Sequence, residues 1–250
     1  MSHDPITQAR VDLAAALRWA ARLGLNEGVC NHFSLAVPGA QDRFLINPQG
    51  LHWSEITPAD LVMTDSDGAV IEGRHQVEAT AFFIHGRIHR GKPNAACVMH
   101  THMPYATALA ISDGGRLEWA SQNALRFYGR VAYDEFYNGL VLDVGEGDRI
   151  CAQIENADVL FLANHGVIVC GDSVAQAFDD LYYLERACLV QVLAESAGRP
   201  LKVVPESIAA MTGRQIASDK VQPVLHFEAL KRILDREEPE WRNITCHSRP

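Results

Sequence analysis

No apolar run in this sequence approaches the ~18 residues that a membrane-spanning helix needs. Nor is there a dense Lys/Arg block: 22 basic residues stand against 31 acidic ones, for a formal net charge of -9. Neutralising phosphates takes clustered positive charge, so nucleic acid is not expected as a partner, and an acidic surface is repelled by anionic membrane faces. CxxC pairs are absent as well. The six cysteines, Cys30, Cys97, Cys151, Cys170, Cys188 and Cys246, are scattered. In a chain of 250 residues that pattern reads as free thiols in a reducing compartment, with Cys97, Cys151 and Cys170 filling core space. The opening MSHDPITQARVDLAAALRWAARLGL starts polar and charged and continues as an amphipathic helix, which is not the layout of a signal peptide. No linker, repeat or low-complexity tract divides the chain. The expectation is a cytoplasmic enzyme or binding protein, one domain over 1–250 with 226–250 as a C-terminal helix and tail.

What is present is an alternation of short strands and helices. Val11, Ala14, Leu17, Ala20 and Ala21 recur at helical spacing and predict a helix over 5–23, which Gly24 and Gly28 end. NHFSLAV at 31–37, FLINP and LVMTD read as strands, and Asp67-Gly68 supplies a tight hairpin turn. A helix is predicted at 76–90, a strand at 98–102, and a helix at 104–110 with Pro104 in its first turn. Further strands are expected at 138–143, 158–163 and 167–171. Helices follow at 172–197, where Asp172-Ser173 act as caps, and at 220–236. This is an α/β chain with one helix-covered sheet, largely antiparallel because hairpins build much of it.

The chemistry concentrates in 98 VMHTHMPYATALA 110. Residues two apart on a strand point to one side, so His100 and His102 present their imidazoles together. A second apolar strand ends in 163 ANHG 166, where Gly166 lets the chain turn closely behind His165. Three such histidines make a metal site with an open position. An isolated HxH is more often a solvent-facing pair, and on spacing alone the two readings stand level.

The chain resembles the class II aldolase/adducin family over about residues 8–225. The motifs that carry the resemblance are FLINPQGLHWSEITPADLV (44–62), IHGRIHRGKPNAACVMHTH (84–102), LRFYG (125–129) and ANHG (163–166). It implies a three-layer α/β/α domain around a largely antiparallel sheet, assembled as a homotetramer with sites near subunit contacts. It also implies that His100, His102 and His165 ligate one divalent ion per subunit: Zn, Mn, Co or Fe. Sugar-phosphate aldolases of the family carry a catalytic Glu in a Ser-Ser-Glu segment upstream of the HxH pair. Aligned through Lys92-Pro93 and His85, that segment is Ala79-Thr80-Ala81 here, and the glutamate position is Ala81. Gln49 stands where a phosphate-contacting hydroxyl is expected, and the phosphate loop is altered to 28 GVCNHFS 34, in which Asn31 and Ser34 stay polar. These departures resemble the adducin-like branch, which includes the cytoskeletal protein without metal ligands and bacterial proteins that keep them. Some of the latter resemble decarboxylases of aromatic or heteroaromatic acids, and a few are iron oxygenases.

By this resemblance the expected activity is a metal-dependent carbon–carbon lyase, first a decarboxylase of a hydroxy-aromatic or 2-oxo acid. A three-histidine cation would act as a Lewis acid on a chelating oxygen pair. An aldolase for a non-phosphorylated hydroxy-oxo acid, an iron oxygenase and an adducin-like binding protein are the alternatives. Glu78 and Tyr133 are the candidate proton donors, Glu78 because it shares a helix face with Ala81 and His85; an interfacial salt bridge is the plainer role for it. His32, Asn31, Arg126 and Gln49 are the candidate contacts for a small anionic carboxylate, although Arg126 can equally be a structural ion pair. Arg232, Arg236 and Arg242 are expected near a subunit contact. His85 and His89 face together on one helix, beside the site or packed under the sheet, and Tyr105 lines the entrance or packs.

Overall fold

The computed structural model describes residues 4–244. Helix α1 (Pro5–Arg22) begins where the carboxylate of Asp4 accepts from the Thr7 amide and proline takes the first turn. Its buried face is mostly alanine, Ala14, Ala15, Ala16 and Ala20 around Leu13 and Leu17, so the helix lies close against the sheet. Strands β1 (His32–Val37), β2 (Ala40–Ile46), β3 (Val62–Asp65) and β4 (Val70–Glu72) follow as an antiparallel meander. The β3–β4 turn at Asp67-Gly68 forms as expected, with Gly68 at φ 87°. Helix α2 (Ala79–Gly91) leads to β5 (Cys97–Thr101), which pairs with β1. Helices α3 (Pro104–Ala110) and α4 (Gln122–Leu125), strand β6 (Val131–Asp134) and helix α5 (Val144–Gln153) come next. Strands β7 (Val159–Leu162) and β8 (Gly166–Gly171) form a hairpin, followed by α6 (Val174–Ser196), α7 (Glu206–Ser218) and α8 (Gln222–Glu237).

The eight strands make one sheet in the order β4-β3-β2-β1-β5-β8-β7-β6. Every pairing is antiparallel except β6–β7, whose parallel register needs the α5 crossover. Strand alternation divides the side chains between two helical layers. Phe33, Leu35, Cys97, Met99, Phe161, Val167 and Val169 join α1, α3, α6 and α8 in the main core. Val98, Leu160, Leu162, Ile168 and Cys170 face Ile84 and Ile88 of α2, Ile150 of α5 and Ile154 just after it. Ala81 closes a third cluster with Phe44, Ile46 and Val62. Each fully buried large side chain contributes about 1.5–3 kcal/mol relative to exposure, and Phe33, Trp53, Phe127 and Phe178 are all sealed. This is the three-layer α/β/α architecture with a largely antiparallel sheet.

Three expectations need correction. Residues 138–143 are irregular, not a strand. Their short apolar run, Leu140-Val141-Leu142, is real, but Leu140 and Leu142 are 71% and 59% exposed, and only Val141 enters the core. The edge strand is VAYD at Val131–Asp134 instead. Helix α5 was not anticipated because Gly145 and Gly147 weaken its helical pattern; Asp143, which caps the Glu146 amide, is its real start signal. Helix α7 was also missed. The predicted tail is ordered as α8 and a short turn at Pro239–Arg242, while 245–250, including Cys246, lies outside the described residues. The other five cysteines are free thiols, and no described helix is long and apolar enough to cross a membrane.

Candidate metal centre

Three sequence features bring the imidazoles together. His100 is the fourth residue of β5, in phase with Val98, and so faces the α2 layer. His102 follows just past the strand end. His165 sits in the β7–β8 turn, where its amide donates to the Leu162 carbonyl and Asn164 takes a left-handed φ of 56°. Gly166 makes the approach possible: a Cβ there would lie 2.5 Å from the Thr101 carbonyl and 2.7 Å from Cδ2 of His102. The ring centroids are 5.0 Å apart for His100–His102 and 4.8 Å for each contact with His165. One ligand nitrogen from each ring lies within 4.8 Å of the others.

The protonation pattern fits a cation. The Nδ1 of His100 faces the Val167 carbonyl at 3.0 Å, and the Nδ1 of His102 faces the carboxylate of Glu27. Both contacts hold the hydrogen on Nδ1 and leave Nε2 bare. The Nε2 of His102 is buried with no hydrogen-bond partner among the described residues. Such an atom pays a desolvation cost that a metal would remove. Burial, and then repulsion from neighbouring imidazoles, holds His100 well below the usual histidine range and His165 down to about 4. Neutral imidazole is the ligating form, and three of them leave coordination positions open. The triad can hold one divalent ion.

The other predicted residues separate. Asn31 and His32 are at the centre. Asn31, buried at φ 72°, accepts from the His102 amide through its side chain (3.4 Å). His32 lies opposite His100 in the β1–β5 register, with ring centroids 4.9 Å apart. Glu78 is the residue before α2 and accepts from the Thr80 hydroxyl at 3.0 Å. Gln49 is exposed, its amide bonded to the Gln76 carbonyl. Neither touches the triad among the described contacts. Tyr133 belongs to the other face of the sheet: it stacks on Phe161 in the main core and its hydroxyl accepts from the Leu117 amide at 3.0 Å. Burial pushes that hydroxyl up to about 12. Arg126 is a structural ion pair, donating to the buried Asp179 at 2.7 Å with its guanidinium over Tyr183. It lines a cavity beside Gly171, at the far end of β8 from Gly166. Five strand steps put the two ends roughly 17 Å apart. Arg242 pairs with Asp235, and Tyr105 packs against the main core.

Two residues at the centre escaped the sequence reading. Glu27 orients His102 from 75 positions away, with no motif to announce it. Tyr137 places its ring 6.2 Å from His165, and it stands one residue before the 138–143 segment expected as a strand, with no motif of its own.

The Class II Aldolase and Adducin N-terminal domain family matches residues 11–192. Over 230 residues the chain is 37% identical to the decarboxylase NovR of Streptomyces niveus, an alignment covering 89% of this chain and 84% of that protein. It superposes with a TM-score of 0.90 on an aldolase II superfamily protein from Pseudomonas syringae, at 34% identity over 97% of this chain and 98% of that one. An L-fuculose 1-phosphate aldolase from Glaciozyma antarctica is similar with a TM-score of 0.84, at 26% identity over 97% and 96%.

Proposed function

The chain belongs to the class II aldolase and adducin family, and from that premise we propose that it is a metal-dependent decarboxylase of a hydroxy-aromatic or 2-oxo carboxylic acid, in the branch related to adducin that keeps its metal histidines. One observation carries this choice among carbon–carbon lyases. The three-histidine centre is intact, while Ala81, the position of the aldolase glutamate in the family resemblance, is 1% exposed among Phe44, Ile46 and Val62. Aldol cleavage needs a base for the substrate hydroxyl, and loss of CO2 does not. The 37% identity to a decarboxylase supports the same reading.

A divalent ion such as Zn or Mn, held by His100, His102 and His165, would supply Lewis-acid stabilisation of the charge left as CO2 departs. The chain's own residues do the rest. Glu27 and the Val167 carbonyl hold His102 and His100 in their ligating tautomers. Asn31 fixes the backbone of His102, and His32 lines the substrate side. With Tyr133 facing the opposite layer and Glu78 held by the Thr80 hydroxyl away from the triad, the proton returned to the product carbon is assigned to Tyr137. The main-chain segment that bears Tyr137 also exposes Phe136, Leu140, Leu142 and Val144. An apolar strip of this kind beside a polar centre suits burial against another copy, in line with a cytoplasmic homotetramer.

Aldol cleavage of a non-phosphorylated hydroxy-oxo acid is the second reading, favoured by the likeness to the fuculose phosphate aldolase. The test is metal analysis followed by an acid-substrate panel on the Zn- or Mn-loaded protein. CO2 without aldehyde supports decarboxylation, and aldehyde without CO2 supports the aldolase. Oxygen uptake with iron points to an oxygenase. Absence of bound metal after reconstitution points to an adducin-like binding role.

A further inference from the structure

Beside the triad, four polar side chains form a hydrogen-bonded row that no metal ligation requires. His32 and Ser34 project from β1 on the face opposite Phe33 and Leu35, toward His85 and His89 of α2. The row ends on the backbone: His89 Nδ1 lies 2.9 Å from the Ala95 carbonyl. A carbonyl only accepts, so His89 carries a hydrogen on Nδ1. Burial holds His89 neutral, with its titration pushed down to about 4, so its Nε2 is a lone pair. The Ser34 hydroxyl, 2.7 Å away, therefore donates to it. That uses the one hydrogen of Ser34, and the 2.5 Å contact with His85 Nδ1 must be His85 donating. His85 is sealed and neutral for the same reason, so its Nε2 accepts, and the 2.6 Å contact with His32 Nδ1 is His32 donating. Reversing the row would set a lone pair against the Ala95 carbonyl. Every hydrogen points away from the metal centre.

The result is a His32 whose Nε2 is a bare acceptor. That nitrogen has no hydrogen-bond partner among the described residues, and its ring lies 4.9 Å from that of His100. We propose that Ser34, His85 and His89 are positioning residues that lock His32 as an acceptor, and that the substrate presents a hydroxyl hydrogen to it. The proposal rests on the lyase reading of the site and narrows it. A carboxylate has no hydrogen to offer at neutral pH and an ether has none at all, so both are refused there. The site then selects a hydroxylated acid with its hydroxyl toward His32 and its carboxylate toward the triad. An acceptor left unpaired by an analogue lacking the hydroxyl costs binding out of proportion to the atoms removed.

Two measurements on the Zn-loaded full chain test this. Neutron diffraction from a deuterium-exchanged crystal should find deuterium on Nδ1 of His32, His85 and His89, with the Ser34 deuteron directed at His89. Deuterium on Nε2 of His32 in the wild-type protein overturns the proposal, whatever any variant does. Calorimetry should then compare the 2-, 3- and 4-hydroxybenzoates with their methyl ethers. At least one hydroxy compound should bind tenfold or more tighter than its ether. Ser34→Ala should erase that preference and Ser34→Thr, which keeps the hydroxyl, should restore it. Equal binding of hydroxyl and ether, or a preference that Ser34→Ala leaves unchanged, refutes it. Failure of the lyase reading is a separate result: neither CO2 nor aldehyde from any acid, with the deuterium pattern intact.

Discussion

Gly166 and His102 are in such close contact that a Cβ on residue 166 would fall 2.7 Å from Cδ2 of the imidazole. The same atom would lie 2.5 Å from the Thr101 carbonyl, which is backbone and cannot swing aside. Gly166→Ala must push the β7–β8 turn away from the end of β5. Affinity for Zn should fall at least tenfold, with a thermal midpoint lower by about 3 °C or more, since overpacking costs about 1–3 kcal/mol. Chelator competition and calorimetric melting measure the two effects. Wild-type affinity in the variant would show that the turn is not what sets the triad.

Glu27 is expected to matter chiefly through His102, which it holds by hydrogen bond. Removing a carboxylate that orients a ligating imidazole costs about 10–100-fold in metal affinity. Glu27→Gln should lie at the mild end of that range and Glu27→Ala at the severe end, with little change in melting, because Glu27 is an exposed side chain. The measurement is competition against a chromophoric chelator for both variants.

The tyrosines should divide by role. Tyr137→Phe is expected to lower kcat about 100-fold, the usual scale for a proton donor, with metal content unchanged. Tyr133→Phe should leave kcat near wild type and cost about 1 kcal/mol of stability, because its hydroxyl accepts from the Leu117 amide. The reverse pattern would return the donor role to Tyr133.

Arg126→Ala should damage folding, not substrate binding. Asp179 is fully buried and would lose a 2.7 Å partner, which costs about 3 kcal/mol when a buried carboxylate is left under-paired. Denaturant melts should show that loss while KM stays within about twofold. A large KM effect at unchanged stability would bring Arg126 back to the substrate, by way of another copy of the chain.

Acid sensitivity follows from the buried histidines. His89 titrates at about 4 in the folded chain against 6.5 as its ordinary value. Between those values the unfolded chain binds more protons, so stability is full above pH 6.5 and declines as pH falls toward 4. Metal-free protein should lose roughly 5 °C of melting temperature between pH 7 and pH 4.5. His89→Gln keeps an acceptor for Ser34 without a titrating ring and should show a shallower decline. Identical slopes in the two proteins would assign the acid response to other groups.

How much of this was readable beforehand depended on whether the signal was local. The period-two spacing of His100 and His102 is a property of one strand, and the Asn-His-Gly turn is a property of one hairpin, so both stood out. Asp67-Gly68 and the apolar stripe of α1 were equally local. Glu27 was invisible because its role comes from tertiary packing against a residue far along the chain. The segment from Asn138 to Asp143 misled because a short apolar run, Leu140-Val141-Leu142, fits a strand as well as an exposed apolar loop. His85 and His89 were seen to share a helix face. That they bracket Ser34 depends on how α2 lies across β1, which helical spacing does not carry. Arg126 was placed by charge alone, and charge does not say at which end of a strand a residue ends up.

The pairing of β5 with both β1 and β8 has a kinetic consequence. Each of these neighbours is remote in the chain, and their alignment requires closing long loops, the slow kind of contact in folding. Until β8 docks, the nascent chain offers only the two histidines of one segment. The full coordination set therefore exists only after the sheet's central strands have joined. Zn uptake during refolding should lag the main gain of helical signal, which makes the ion a reporter of the moment the middle of the sheet closes.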